Sequence, residues 1–232
     1  MFIDLHVHYY PEITKDALKM GYSGLVLVKS SKALSSKCND DKKTPPLPSE
    51  TPHSLSIFKG IEIRARNPEE LHRKIQKFRN KVDVLLVHGG DLKIHRAAVE
   101  DPRVDVLSQS YYGRRDSGFN HILARKAAEN NVAVEINVGY LLSNHNHRRG
   151  KILAQFREIL KLKSKYNFPL IITSGARSVY DLRSPRDLME LAACFGMDKE
   201  TACNALSKVP EDIIYQGQIR NQLILPGVRL LE

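Results

Sequence analysis

Tryptophan is absent from this 232-residue sequence, and cysteine occurs only at Cys38, Cys194 and Cys203, without C-x-x-C spacing. An odd, scattered set of thiols argues against a disulfide framework or a zinc knuckle and fits reduced, intracellular cysteines. No uninterrupted apolar run approaches the roughly 18 residues of a membrane span. The chain also enters a strand pattern at once, with no basic and apolar leader, so a cytoplasmic protein without membrane contact is expected. Acidic residues are the scarcer charge, 26 Asp and Glu against 36 Lys and Arg, giving a formal +10. That excess favours polyanionic partners such as RNA, DNA or anionic lipid, without choosing among them. Hydrophobic content of 42% and charged content of 27% are ordinary for a globular chain.

What is present is an alternation of short apolar runs with segments of helical period, which predicts βα units and a parallel sheet. The strand-like runs are FIDLHV, GLVLV from Gly24, IFKGIEI from Ile57, VDVLLV from Val82, VDVLS from Val104, VAVEINV from Val132 and PLIIT from Pro169. Their number suits a distorted TIM-like (β/α) barrel in a single domain over 1–232. Between them, Phe119, Ile122, Leu123 and Ala127 are spaced as one buried helical stripe with Asp116 or Ser117 as its cap. A helix from about Arg149 should bury Ile152, Phe156, Ile159 and Leu160. A third should start at Ser184 and Pro185 and stop at Gly196. The stretch 38–54, with Pro45, Pro46, Pro48 and Pro52 and no apolar period, reads as a long loop.

The ends of the predicted strands are polar. In the opening run Asp4, His6 and His8 alternate with Ile3, Leu5 and Val7, so a regular strand would put the first set on one face and the second on the other. Glu62 ends the third strand, followed by Arg64 and Arg66; His88 ends the fourth; Glu135 and Asn137 lie on the sixth; the seventh ends TSGAR. His6, His8, Glu62 and His88 resemble the metal-binding positions of the PHP (polymerase and histidinol phosphatase) domain: its opening HxH, its G-x-E (here Gly60–Glu62) and its later histidine. The resemblance breaks where that pattern has T-D-H and S-D-A-H, because this chain has Val28-Lys29-Ser30 and Ser174-Gly175-Ala176-Arg177. A multinuclear site depends on imidazole and carboxylate ligands to neutralise its cations. Lys29 and Arg177 are expected to place fixed positive charge there instead, and could pair with Glu62 or Glu135. No bound metal is therefore expected, and the three histidines are expected to be hydrogen-bonded residues in a barrel mouth. A metal-dependent phosphoesterase is the rival reading, and a general basic RNA-binding or chaperone protein a third.

A longer resemblance runs through LVHGGD, RRDSGFNHILARKAAENNVAVEINVGYLL and IITSGARSVYDLRSPRDLMEL. These segments are similar to the archaeal ribonuclease P protein component 3 family, relatives of the 30-kilodalton subunit of the eukaryotic enzyme. The resemblance implies a degenerate PHP-type barrel in a ribonucleoprotein endonuclease that removes the 5′ leader from precursor tRNA. It implies catalysis by the RNA component with Mg2+, no cofactor on this chain, and partnership with ribonuclease P RNA, protein component 2 and other holoenzyme proteins.

Phosphate contacts come from Lys and Arg. Arg114 and Arg115 beside Tyr111 and Tyr112 form the first candidate group, and Arg148, Arg149 and Lys151 after His145 and His147 the second. Arg177 with Arg183, and Lys42 with Lys43 in the proline-rich loop, complete the set. Tyr111 and Tyr112 are expected to pack rather than to stack on bases.

Overall fold

A computed structural model describes residues 1–31 and 55–220, with two short backbone strands at 223–225 and 228–229. The predicted proline-rich loop at 38–54, with Cys38, Lys42 and Lys43, lies outside the described residues. Seven strands form one sheet in sequential order: β1 (Ile3–Val7), β2 (Gly24–Ser30), β3 (Ser56–Ile63), β4 (Val84–His88), β5 (Val106–Ser108), β6 (Ala133–Asn137) and β7 (Leu170–Thr173). Every adjacent pair is parallel. Sequential parallel order with helical crossovers curls the sheet until β1 lies beside β7, which makes the predicted α/β TIM-like barrel, distorted and nearly closed. The crossovers are α1 (Ile13–Lys19), α2 (Pro68–Phe78), α3 (Leu92–Glu100), α4 (His121–Glu129), α5 (Val138–Leu142) and α6 (Asn146–Tyr166). After β7 come α7 (Pro185–Cys194), α8 (Lys199–Leu206) and α9 (Lys208–Ile219), then the antiparallel pair β8 (Leu223–Leu225) and β9 (Val228–Arg229). Among the described residues no helix is long and apolar enough to cross a membrane.

Alternation along the strands separates two cores. Leu85, Val87, Leu107, Val134, Ile136, Leu170 and Ile172 meet the helices through Leu71, Ile75, Ile94, Leu123 and Phe156. The other face fills the lower lumen with Val26, Val28, Val84, Leu86, Val106, Ala133 and Ile171, and Ile213 and Ile214 of α9 plug it from beneath. Gly217 lets α9 approach that closely, since a Cβ there would run into the Asp83 carbonyl oxygen.

The expected two-faced β1 is not what forms. Asp4 pairs with Leu25 and Val7 with Leu27, so β1 carries one extra residue. Such a bulge lets two neighbours share a face. Ile3 and Leu5 accordingly join the lumen core while Val7 packs outside with Ile13, Ala17 and Leu25. Asp4 leaves the histidine set and joins the barrel seam, accepting the Ser174 N–H at 3.0 Å and the His6 N–H at 3.1 Å. The His8 N–H donates to the Ala176 carbonyl at 2.8 Å just above. Asp4→Ala is therefore expected to orphan two buried N–H groups and cost about 2 to 4 kcal/mol in urea unfolding; a loss under about 0.5 kcal/mol would show that the seam is held elsewhere.

Helix ends follow the predicted chemistry with two corrections. Ser184 Oγ accepts the Asp187 N–H at 3.2 Å behind Pro185, and Gly196 takes a φ of +93° after α7. The cap of α4 is Asn120, not Asp116 or Ser117: its Oδ1 accepts from Ile122 and Leu123 at 3.1 and 3.0 Å. That register turns Ile122 out, 56% exposed, and buries Leu123, Ala124 and Ala127. Helix α6 starts at Asn146 and buries Ile152, Phe156 and Ile159, with Leu160 half-buried.

Candidate functional site

Above the apolar plug, the C-terminal ends of the strands turn polar. Glu135 on β6 is fully buried, and its carboxylate accepts from four sides: His6 Nδ1–H at 2.7 Å, Thr173 Oγ1–H at 2.5 Å, Asn137 Nδ2–H at 3.2 Å and the Ser108 hydroxyl. Glu62 on β3 accepts His88 Nδ1–H at 2.8 Å on one oxygen and Arg64 Nε–H at 3.1 Å on the other. His8 stands edge-on to His6 with centroids 5.3 Å apart, and Tyr112 covers His88 at 4.9 Å. Tyr111, fully buried, accepts the Asn137 N–H at 2.8 Å and packs on Phe156, as the packing reading expected.

The electrostatics follow from these pairs. Burial works against a charge on His6, but the adjacent Glu135 carboxylate outweighs it and raises the pKa above the usual imidazole value. Burial likewise opposes the Glu135 charge, and His6 with the hydroxyl donors brings its pKa below the usual carboxylate value. Glu62 is drawn down to about 2 because the His88 hydrogen bond and the nearby His6, His88 and Arg64 charges prevail over burial. His8 goes the other way, to about 4, through burial and the cationic neighbours His6 and Arg177.

This arrangement does not suit a metal cluster. Both oxygens of Glu62 and of Glu135 already receive a protein donor, and each of the two imidazoles His6 and His88 points a nitrogen at a carboxylate. Among the described residues no group of three His, Cys, Asp or Glu side chains is set to hold a metal ion. Arg177 lines the mouth, as expected, but Lys29 does not: it is exposed on the outward face of β2, and Glu62 pairs with His88 and Arg64 rather than with Lys29 or Arg177. Gly175 is required at its place, with φ +63° and the Asn137 amide within 2.5 Å of where a Cβ would sit.

The basic candidates among the described residues gather on this same end of the barrel. Arg114 and Arg115 sit in the β5–α4 connection; Arg148, Arg149 and Lys151 open α6; Arg177 and Arg183 follow β7. Their engagement differs. Arg114 binds both Asp116 oxygens, at 2.6 and 3.1 Å, and the Gly90 carbonyl at 3.1 Å. Arg149 caps α5 through the Asn144 and Leu142 carbonyls, and Arg183 holds the Tyr180 and Leu182 carbonyls. Arg115, Arg148, Lys151 and Arg177 are exposed. Sequence reasoning missed Gln109, Tyr140 and Ser143, which also line the mouth; only their positions just beyond strand ends could have signalled them.

Fold and mouth together define a distorted α/β barrel whose polar strand ends are paired with one another beneath a basic rim. The model of the RNase P subunit p30 family matches residues 1–222. The chain is 46% identical over 219 residues to ribonuclease P protein component 3 of Methanothermobacter thermautotrophicus, covering 93% of this chain and 87% of that one. It is 39% identical to the same component of Methanococcoides burtonii, over 100% of this chain and 94% of that one. The structure is similar to a chain in the cryo-EM structure of archaeal ribonuclease P with mature tRNA, with a TM-score of 0.81, 29% identity, and 99% and 98% of the two chains covered. An Agrobacterium tumefaciens protein shares the fold alone, at 13% identity, TM-score 0.64, with 92% and 95% covered. The chain belongs to the RNase P subunit p30 family.

Proposed function

We propose that this chain is a protein subunit of ribonuclease P, the ribonucleoprotein that removes the 5′ leader from precursor tRNA. One observation carries the reading: similarity over nearly the whole of both chains to a chain of archaeal ribonuclease P. The mouth supports a supporting rather than a catalytic part, because Glu135 and Glu62 are engaged by internal donors. In this reading the RNA component performs the chemistry with its own Mg2+, the chain carries no cofactor, and 1–232 acts as one domain in the cytoplasm. It pairs directly with protein component 2 and, through its basic rim, meets RNA.

Native purification of the tagged chain from its own cells, with bound RNA sequenced and metal quantified on the same sample, tests this. Ribonuclease P RNA with component 2 and little transition metal is the expected recovery. Metal without RNA, together with hydrolysis of a simple phosphate ester abolished in the His6→Ala, His8→Ala double variant, would instead establish the phosphoesterase. Within the rim, Arg115→Ala is expected to lower the log–log salt slope of RNA binding by about one unit for each phosphate that the guanidinium neutralises. Arg114→Ala should change it less, because that guanidinium is already neutralised by Asp116. Equal slopes for Arg115→Ala and the parent would remove Arg115 from the interface.

A further inference from the structure

The mouth is also a cavity of about 360 Å³, within the roughly 300–1,000 Å³ range of small-ligand sites. Its charged wall is unbalanced in a specific way. Both acidic groups are occupied: Glu62 by His88 and Arg64, and Asp181 by the Ser178 hydroxyl at 2.8 Å and the Arg177 N–H at 3.2 Å. The two arginines are engaged only in part. Arg64 commits only Nε, so among the described residues its two terminal nitrogens have no hydrogen-bond partner, and neither has the Arg177 guanidinium. These groups come from the ends of β3 and β7 and line one cavity.

Gln109 adds an independent sign. It holds φ +47° at the end of β5, a left-handed conformation that residues with side chains rarely adopt. Its carbonyl accepts the Tyr112 N–H at 2.9 Å; the residue lines the cavity, and its side-chain amide has no hydrogen-bond partner among the described residues. Strained backbone that delivers a polar group to a cleft recurs at ligand sites. The two terminal nitrogens of Arg64, the Arg177 guanidinium and an amide donor at one cavity match the oxygens of a tetrahedral anion.

We propose that the barrel mouth is a binding site for one phosphate group, seated between Arg64, Arg177 and Gln109. The site is distinct in kind from diffuse phosphate binding along the rim, because it is concave and its donors converge from three strand ends. It rests on the geometry of the chain alone and stands apart from the subunit reading.

The test is a titration of the full chain with inorganic phosphate, followed by calorimetry. Saturable binding is expected, weakened at least about tenfold by Arg177→Ala and by Gln109→Ala. Arg125→Ala, which removes an exposed charge on the outer face of α4, should bind like the parent. Absence of saturable binding, or an equal loss in Arg125→Ala, would overturn the site. Circular dichroism of each variant separates lost binding from lost fold, and the Arg177 side chain is exposed, so its removal leaves no cavity in the barrel. A second arm identifies the source with a short RNA carrying either a 5′-phosphate or a 5′-hydroxyl. Displacement of inorganic phosphate by the first alone supports a terminal RNA phosphate, displacement by both an internal one, and displacement by neither the free ion.

Discussion

Asp105→Ala is expected to lower stability by about 3 to 5 kcal/mol, the cost of leaving a buried charge without its partner. Asp105 receives Arg79 Nη1 at 2.5 Å and Nη2 at 2.8 Å, the Leu85 N–H at 2.7 Å and Arg220 Nη2 at 3.3 Å. The Arg79 and Asp105 side chains are only 10% and 9% exposed, so water cannot replace the lost carboxylate. Arg79 Nε already has no partner among the described residues. The pair fastens the turn after α2 to the floor of the barrel, and Arg220 ties the end of α9 to it through the Arg79 carbonyl at 3.2 Å. For a chain of this size the loss corresponds to a Tm lower by about 6 to 20 °C in a thermal scan. Asp105→Asn, which keeps an acceptor and loses the charge, should fall between. A Tm within about 2 °C of the parent for Asp105→Ala would mean that the floor is held by apolar packing alone.

Glu135→Gln is expected to reverse the titration of His6. In the parent the His6 pKa is raised, so its contribution to stability is fully present below about 6.5 and is lost as pH rises through the folded value. The lowered Glu135 pKa acts on the other side: its contribution is present above about 4.5 and is lost as pH falls through the folded value. Stability is thus held between two limits by one pair. Without the carboxylate, burial dominates at His6 and its pKa should drop below the ordinary imidazole value, which histidine NMR measures directly. Glu135→Ala, which also strands Ser108, Thr173 and Asn137, should cost about 3 to 5 kcal/mol at neutral pH. An unchanged His6 titration in Glu135→Gln would show that the pair does not govern the mouth.

Much of this architecture is legible in the sequence, because local chemistry reports local structure. The seven strand runs, the Ser184-Pro185 helix start and the Gly196 stop each depend on neighbours a few residues away. The histidine of β1 and the glutamate of β6 are both visible as polar residues on buried strands, yet their pairing across 129 positions is not. Lys29 departs from its expected place because a residue's face depends on strand register, and Asn120 displaces the expected caps because the chain reverses later than composition suggests. The bulge in β1 cannot be read at all: inserting one residue changes which neighbours share a face without changing any residue's character.

By itself, then, the sequence determined the parallel βα order, the basic excess, the broken metal pattern and the family. Only the tertiary structure decided that Asp4 serves the seam, that His6 and His88 are paired with carboxylates, and that Arg64, Arg177 and Gln109 converge on one cavity. The reason is physical: propensity and periodicity act over a few residues, whereas a buried charge is stable only beside the group that neutralises it, and in a barrel that group arrives from a distant strand.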